Sequence, residues 1–423
     1  MFRKLLRSYR EAFSGLPRDA WLIAAAEFVN RCGTMVLFFL VLYLKLRLGF
    51  SLPAAGTVLG AFGVGALAGA WLGGALCDRA GAVRVQVISL YAAGALFVLI
   101  GFLRDYTTLV SAVFLLGIFE EALHPAGATA LVSACPPDLR TRAFALHRLA
   151  ANAGVTVGPA LGGVLAMVDY GLLFWVDGAT CLAAGVLLQA CFRGRTGRRP
   201  AGGAAVDVPA AAAARTPWRD PAFLCLALLI FGVSVVFCQL FGTFPLFLRE
   251  GYGFPESAIG RLIAVNTVLI ILTEMALTKA LERRAPLPLV AAGVFLVGLG
   301  FSLMPLGSGS LFAALTVAVW TVGEMLSMPF VMGWVANRAG EGAQGAYMGV
   351  TSFCFALGLT VAAPLGTWAY ARLGPGPFWA AVGALSALLA AGFLLLHRCT
   401  AAGPVETLAP AADVTEAFET LSR

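Results

Sequence analysis

The chain has 423 residues, of which 60% are hydrophobic and 12% are charged, and its formal net charge is +7. A soluble protein carries roughly 25% charged residues, so this composition excludes an ordinary water-soluble enzyme or binding domain. The basic residues are scattered between apolar runs and have no stacking aromatic residues among them. We therefore expect the lipid bilayer, and not a nucleic acid, as the partner of this chain.

Twelve apolar runs follow one another along the chain, each near or above the roughly 20 residues that cross a bilayer. Lipid cannot satisfy exposed backbone polar groups, so each run is predicted to be a helix. The predicted fold class is therefore an all-α membrane protein. In chain order, spans 1 to 12 are predicted over residues 18–46, 52–77, 84–103, 107–134, 140–168, 170–192, 220–248, 255–281, 286–306, 310–337, 343–371 and 376–397.

The longest polar break divides the spans into six and six. Residues 193–219 are rich in Ala, Gly, Pro and Arg and are predicted to form a flexible linker. We predict an N-terminal segment (1–17), a first six-helix bundle (18–192), this linker, a second bundle (220–398) and a polar tail (399–423). Lys and Arg concentrate in the breaks on the side that holds both ends, which predicts cytoplasmic termini. We expect a monomer in the plasma (inner) membrane.

The two halves resemble each other at a fixed offset of 204 residues, the difference between Glu120 and Glu324. The same offset relates Pro125 to Pro329 and Phe50 to Phe254. With six spans per half, both repeats have the same membrane orientation, so the halves are predicted to be pseudo-symmetric about the membrane normal. A parallel repeat of this kind binds its substrate near the midplane between the halves.

The loop between spans 2 and 3 reads GALCDRAG over residues 74–81. This string resembles the G-x-L-x-D-R-x-G loop of the major facilitator superfamily, and the resemblance covers the chain from span 1 to span 12. It implies a secondary transporter that works by alternating access, and not an enzyme. We expect the loop to be a charged latch between conformations, although a simple topology-setting turn is the alternative. The gating residues are then Gly74, Asp78, Arg79, Gly81, Arg84, Glu282 and Arg283.

Span 5 reads GVTVGPALGG over residues 154–163. The string resembles the G-x-x-x-G-P-x-x-G-G pattern of proton-coupled drug antiporters, and small residues at this spacing allow close helix packing. Span 4 departs from the antiporter pattern, because Val113 occupies the place of an Arg. The predicted packing motif consists of Gly154, Gly158, Pro159, Gly162 and Gly163.

Two short strings are similar to those of proton-dependent oligopeptide transporters. EFVNR, which ends at Arg31 in span 1, is similar to their E-x-x-E-R motif, with Asn30 in place of the second Glu. GEMLSMP, over residues 323–329 in span 10, is similar to their G-E-x-x-x-x-P string. This resemblance implies an alternative substrate, a peptide or another zwitterion, held between Glu27, Arg31 and Glu324.

Charged residues at membrane depth cost several kcal/mol, so they usually face a cavity or a partner. The superfamily resemblance places spans 1, 4, 7 and 10 around a central cavity. A buried carboxylate that takes up a proton on one side can release it on the other, and the candidates for this coupling are Glu324, Glu120 and Glu274. The candidates for lining the substrate cavity are Glu27, Arg31, Glu121, His124 and Gln239. Glu27 and Arg31 are four residues apart, so a static ion pair is the alternative to a substrate site.

The sequence thus favours a proton-coupled antiporter that exports small organic or amphipathic compounds. We expect the proton gradient to supply the energy, with no cofactor and no metal. Import of peptides or other zwitterions is the alternative within this class. A membrane receptor or sensor that no longer transports is the alternative outside it, although the Asp78-Arg79 loop argues against a chain without gating.

Overall fold

The computed structural model describes residues 15–136, 139–193, 216–281, 283–339 and 344–401. These residues form helices and contain no strand, and twelve helices are long and apolar enough to cross a membrane. The predicted all-α fold with twelve spans is therefore confirmed. Spans 1 to 12 consist of Arg18–Cys32 with Val36–Leu46, Leu52–Ala80, Ala82–Phe102, Tyr106–Ala134, Arg140–Val168, Gly171–Cys191, Pro221–Phe237 with Thr243–Glu250, Glu256–Leu281, Pro286–Leu303, Ser310–Ala339, Gln344–Leu373 and Pro375–Ala401.

Several helices extend beyond the apolar runs that predicted them. Span 2 continues to Ala80, and Gly81 then turns the chain directly into span 3 with φ of 88°, a conformation that favours glycine. Span 12 continues to Ala401, past the predicted end of the second bundle. Helical hydrogen bonding persists beyond the apolar stretch, so hydropathy underestimates helix length. The predicted division into segments stays a prediction, because residues 1–14, 194–215 and 402–423 lie outside the described part.

Spans 1 and 7 are interrupted, whereas the sequence predicted continuous helices there. In span 1 the first helix ends at Cys32 and the second begins at Val36. In span 7 a 3-10 turn over Cys238–Phe241 separates the two helices. The breaks lie at equivalent places under the 204-residue offset. The apolar pattern continues through both of them, so hydropathy carried no signal for either.

The same helix pairs pack together in both halves. Spans 1 and 5, 1 and 6, 2 and 4, 3 and 4, and 3 and 6 are in contact in the first half. Their counterparts, spans 7 and 11, 7 and 12, 8 and 10, 9 and 10, and 9 and 12, are in contact in the second. This recurrence confirms two pseudo-symmetric six-helix bundles. The bundles meet mainly through spans 2 and 11 and through spans 5 and 8, which the repeat also relates to each other.

The two bundles are packed together on one side of the membrane. We call the side of Arg18 and Ala401 the terminal side and the opposite side the distal side. On the distal side the Tyr170 hydroxyl of the first half donates to Glu256 Oε1 of the second at 2.7 Å. Lys45 and Glu250 form an ion pair between the outer ends of spans 1 and 7. These contacts close the distal side.

On the distal side, glycine residues allow the two bundles to approach each other closely. A Cβ on Gly163 of span 5 would lie 2.3 Å from the backbone oxygen of Glu256 in span 8. A Cβ on Gly260 of span 8 would lie 2.1 Å from the backbone oxygen of Pro159. Distances this short cannot be accommodated unless the helices move apart. The distal closure therefore depends on these small residues.

We expect Gly163→Ala to shift the protein away from the distal-closed conformation. Overpacking of a close contact costs about 1–3 kcal/mol, which corresponds to a roughly 5- to 150-fold change in the ratio of two conformations. The ratio is measured as the distance distribution between probes at Phe102 and Leu306, two exposed distal residues in opposite halves. Gly333→Ala is the control, because a Cβ there meets no atom within 4 Å. A wild-type distribution in Gly163→Ala would contradict this account of the closure.

Candidate transport site

Spans 1 and 4 bring an arginine, a glutamate and a histidine together in the first half. Arg31 Nε donates to Glu27 Oε1 at 2.7 Å, and Arg31 Nη2 lies 3.0 Å from His124 Nε2. Because a guanidinium only donates, Nε2 of His124 is the acceptor in this contact. His147 of span 5, which the sequence analysis missed, lies within electrostatic range of Glu27. Arg31 is thus held by Glu27 and His124, and its role in substrate binding stays a prediction.

Glu120 has a neutral partner. Its Oε1 lies 3.8 Å from the thiol of Cys181 in span 6, and the same thiol lies 3.2 Å from Asn30 Oδ1. Arg31 and Glu121 are within electrostatic range of Glu120, but neither forms a hydrogen bond with it among the described residues. Sequence reasoning missed Cys181, because a lone cysteine in an apolar run gives no signal. In the described part of the chain, the partly buried Glu120 carboxylate therefore has a neutral contact and no direct ion pair.

Glu324 occupies the equivalent place in the second half and also has a neutral partner. The amide of Asn266 in span 8 donates to Glu324 Oε2 at 2.9 Å and to Thr321 Oγ1 at 3.1 Å. Asn266 is another residue that the sequence analysis missed. A polar amide in the middle of an apolar span was the signal available to find it.

A small cavity lies between the halves beside Glu324. Arg148 and Asn152 of span 5 line it from the first half, and Ile270, Glu274 and Glu324 are among its lining residues from the second. Arg148 forms an ion pair with Glu274, so this candidate for coupling is tied to the opposite bundle. Two of the three predicted coupling carboxylates, Glu274 and Glu324, therefore face one interface cavity.

Gln239 lies apart from these groups, in the break of span 7. Its amide donates to the backbone oxygens of Val235 and Ala362, and its Oε1 accepts from Thr243 Oγ1 at 2.8 Å. The side chain is buried, and a Cβ on Gly366 would lie 2.1 Å from its oxygen. Its contacts are those of a residue that fixes the break, and a role in substrate binding stays a prediction.

The glycine string of span 5 packs on two neighbours. Gly154, Gly158 and Gly162 face span 1, where a Cβ on Gly154 would lie 2.5 Å from Arg31 Cβ. Pro159 and Gly163 face span 8 of the other half. Span 5 therefore connects the Arg31 cluster with the interface between the halves.

The structure gives no test of the predicted latch. The side chain of Asp78 and all of Glu282 lie outside the described residues. Gly74 has open space around it, and Arg79, Arg84 and Arg283 are exposed. Gly81 makes the turn between spans 2 and 3. The gating role of these residues stays a prediction.

Asp177 of span 6 is fully buried and caps the second helix of span 1. Its Oδ2 accepts from the backbone N–H of Val36 at 2.9 Å and from that of Met35 at 3.2 Å. A Cβ on Gly33 would lie 1.9 Å from Thr180 Oγ1, so the break packs closely on span 6. This contact between Asp177 and span 1 was not predicted, because it joins residues that are far apart in the chain.

Two six-helix bundles with ionisable groups at mid-depth, closed on one side, define a membrane transporter and not an enzyme. The family profile of the Major Facilitator Superfamily matches residues 23–363. The chain belongs to this superfamily, and the predicted resemblance is confirmed.

Curated relatives of this chain include other members of the superfamily. An "Uncharacterized MFS-type transporter YqjV" of Bacillus subtilis (strain 168) is 23% identical over 348 residues, which are 79% of this chain and 82% of that protein. A "Multidrug resistance protein MdtH" of Citrobacter koseri is 25% identical over 344 residues, with 79% and 83% covered.

Solved structures share the fold. A POT family transporter in complex with a thioalcohol-conjugated peptide has a TM-score of 0.78 at 14% identity, with 92% of this chain and 98% of that chain covered. The nucleoside transporter NupG (in mutant form) has a TM-score of 0.73 at 13% identity, with 90% and 100% covered. At these identities the likeness shows the fold alone.

Proposed function

We propose that this transporter is a proton-coupled antiporter that exports small amphipathic organic compounds, with a preference for cations. The observation that supports this is the pair of equivalent carboxylates, Glu120 and Glu324, each with a neutral hydrogen-bond partner in place of a cation. A carboxylate without a fixed counter-ion is available to a proton and to an organic cation in turn. That competition is the simplest way to exchange one for the other.

The charge around the site favours a cationic substrate. The first half contributes Glu27, Glu120 and Glu121 against Arg31 within one electrostatic cluster. In the second half, Glu274 pairs with Arg148. Glu324 accepts from Asn266 and forms no ion pair in the part of the chain that the structure describes. A substrate with a positive charge would offset this acidic excess. The name of the MdtH relatives, multidrug resistance protein, is consistent with export of organic compounds.

The distal closure also fits this proposal. With cytoplasmic termini, as the distribution of Lys and Arg predicts, the described conformation is closed to the outside. In an export cycle this is a conformation in which compounds outside cannot reach the site. We further propose a monomer in the inner membrane that uses the proton gradient and needs no cofactor.

Import of a peptide or another zwitterion is the second candidate. It is favoured by the arrangement of Arg31, which could exchange Glu27 for a substrate carboxylate while a carboxylate such as Glu324 receives the amine. A non-transporting receptor is the third, and it predicts ligand binding without flux.

One experiment with two opposite gradients separates these candidates. Purified protein in proteoliposomes is given an acidic lumen or an acidic exterior, and uptake of a fluorescent lipophilic cation and of radiolabelled dialanine is followed. Antiport predicts cation uptake that requires the acidic lumen. Symport predicts dialanine uptake that requires the acidic exterior, and a receptor predicts no flux under either gradient. Cation uptake that ignores the gradient would overturn proton coupling.

A further inference from the structure

Asp177 is a buried carboxylate without a basic partner. Its oxygens accept only from the backbone N–H groups of Met35, at 3.2 and 3.3 Å, and of Val36, at 2.9 Å. Across the described ranges, no Lys, Arg or His side chain forms an ion pair or hydrogen bond with it. Among the described residues, its charge is thus compensated by two backbone N–H groups at the positive end of a short helix.

The second half shows that a break of this kind needs no charge. The equivalent break in span 7 is held by Gln239, whose amide donates to two backbone oxygens and accepts from Thr243. All of these groups are neutral. A neutral amide therefore holds that break without capping the following helix, so a break of this kind does not by itself require an ionisable group.

Asp177 is connected to the polar midplane. Glu120 of span 4 lies within electrostatic range of it, and so does Cys181, one turn further along span 6. The Cys181 sulfur also lies 3.8 Å from Glu120 Oε1, and Arg31 in span 1 is within electrostatic range of it. From span 3 the residues facing this turn of span 6 are Gly94 and Val98, which do not ionise. The carboxylate therefore belongs to the electrostatic neighbourhood of the transport site.

The helix that Asp177 caps carries part of the distal closure. In Val36–Leu46, Phe38 packs against Phe241 of span 7 with ring centroids 5.0 Å apart and ring planes tilted by 44°, and Lys45 pairs with Glu250. A change at the start of this helix is thus transmitted to contacts between the halves.

We propose that Asp177 is a further proton-binding residue, whose protonation opens the distal side by releasing the outer helix of span 1. This inference rests on the proposed proton coupling. The proton adds to one carboxylate oxygen and removes the negative charge, so the hydrogen bonds that the carboxyl group accepts from the Met35 and Val36 N–H groups become weaker. When the proton passes to water or to Glu120, the negative charge returns and the hydrogen bonds from the Met35 and Val36 N–H groups become strong again. The outer helix of span 1 is then held in place. A proton taken from the distal side thus holds the distal-open state, and its transfer to Glu120 lets the distal side close with the proton at the transport site, as an antiporter requires.

Asp177→Asn tests the proposal, because it removes the charge and keeps the size and one acceptor oxygen. Spin labels on p-acetylphenylalanine at Phe102 and Leu306 report the distal distance without using the native cysteines. We expect the wild-type protein to gain a wide-distance population when an alkaline buffer is replaced by an acidic one. In Asp177→Asn that population should be present in both buffers.

The control is Asp169→Asn, an exposed carboxylate at the end of span 5 whose described ion pair is a 3.9 Å contact with Arg47. It should keep the wild-type response. A wild-type pH response in Asp177→Asn would overturn the proposal, whatever the transport assays show. Conversely, absence of proton-driven flux would refute the proposed function even if the distances respond.

A measurement on the wild-type protein covers the case in which Asp177→Asn fails to fold. Hydrogen exchange, corrected for the intrinsic effect of pH, is compared for residues 34–46 and for residues 238–250. Acidification should increase exchange in the first segment, whose first N–H groups are held by the ionisable Asp177, more than in the second, whose break is held by the neutral Gln239. Equal changes in the two segments, or none, would overturn the proposal.

Discussion

Arg31→Ala is expected to abolish transport and to destabilise the first half of the protein. Arg31 is the partner of Glu27 at 2.7 Å, and its side chain is only 18% exposed. Removing one member of a buried ion pair costs about 3–5 kcal/mol, because the other charge is stranded. His124 would lose its donor at the same time. Flux in proteoliposomes and the thermal unfolding midpoint of the purified protein measure the two effects.

Two further variants separate charge from geometry at this position. Arg31→Lys keeps the charge but offers no planar fork to reach Glu27 and His124 together, so partial activity is expected. Arg47→Ala removes an exposed arginine whose ion pair with Asp169 is 3.9 Å long, and it should leave flux and stability near wild type. Wild-type flux in Arg31→Ala would show that Arg31 neither binds substrate nor organises the cavity.

The number of spans and the two-fold repeat were predictable because they depend on residue classes. A run of apolar residues identifies a span whatever its packing, and the matching positions of Glu120 and Glu324 are visible without a structure. The breaks in spans 1 and 7 were not predictable in this way. They arise from contacts between distant segments, such as Asp177 with the Val36 N–H and Gln239 with Ala362.

Only the charged residues of the candidate site could be predicted from the sequence. Glu27, Arg31 and Glu324 stand out because ionisable residues are costly in a membrane. Their partners Cys181 and Asn266 do not stand out, since each becomes important only through its approach to Glu120 or Glu324. Arg148 was also missed, because its pairing with Glu274 depends on how the two bundles meet.

Glu324→Gln is expected to abolish uphill, gradient-driven transport and to preserve solute exchange. Gln keeps the size of Glu and an oxygen that accepts from Asn266, so the local packing of spans 8 and 10 should persist. It cannot bind and release a proton, so the conformational cycle is disconnected from the gradient. Exchange of solute needs the cycle and a site for the cation, which Glu120 still supplies, so it should continue.

Comparison with the other carboxylates identifies which one carries the proton. Glu274→Gln loses its pairing with Arg148 across the interface and should slow uphill transport and exchange together, because it disturbs a contact between the halves. Glu120→Gln changes the equivalent position of the first half and tests whether both halves take part. Glu324 combines two features that the others have singly: unlike Glu120 it lines the interface cavity, and unlike Glu274 its described partner is a neutral amide and not a cation. If Glu324 only packs or only binds substrate, uphill transport and exchange will fall together or not at all. Uphill transport retained by the Glu324 variant would move the coupling role to another carboxylate.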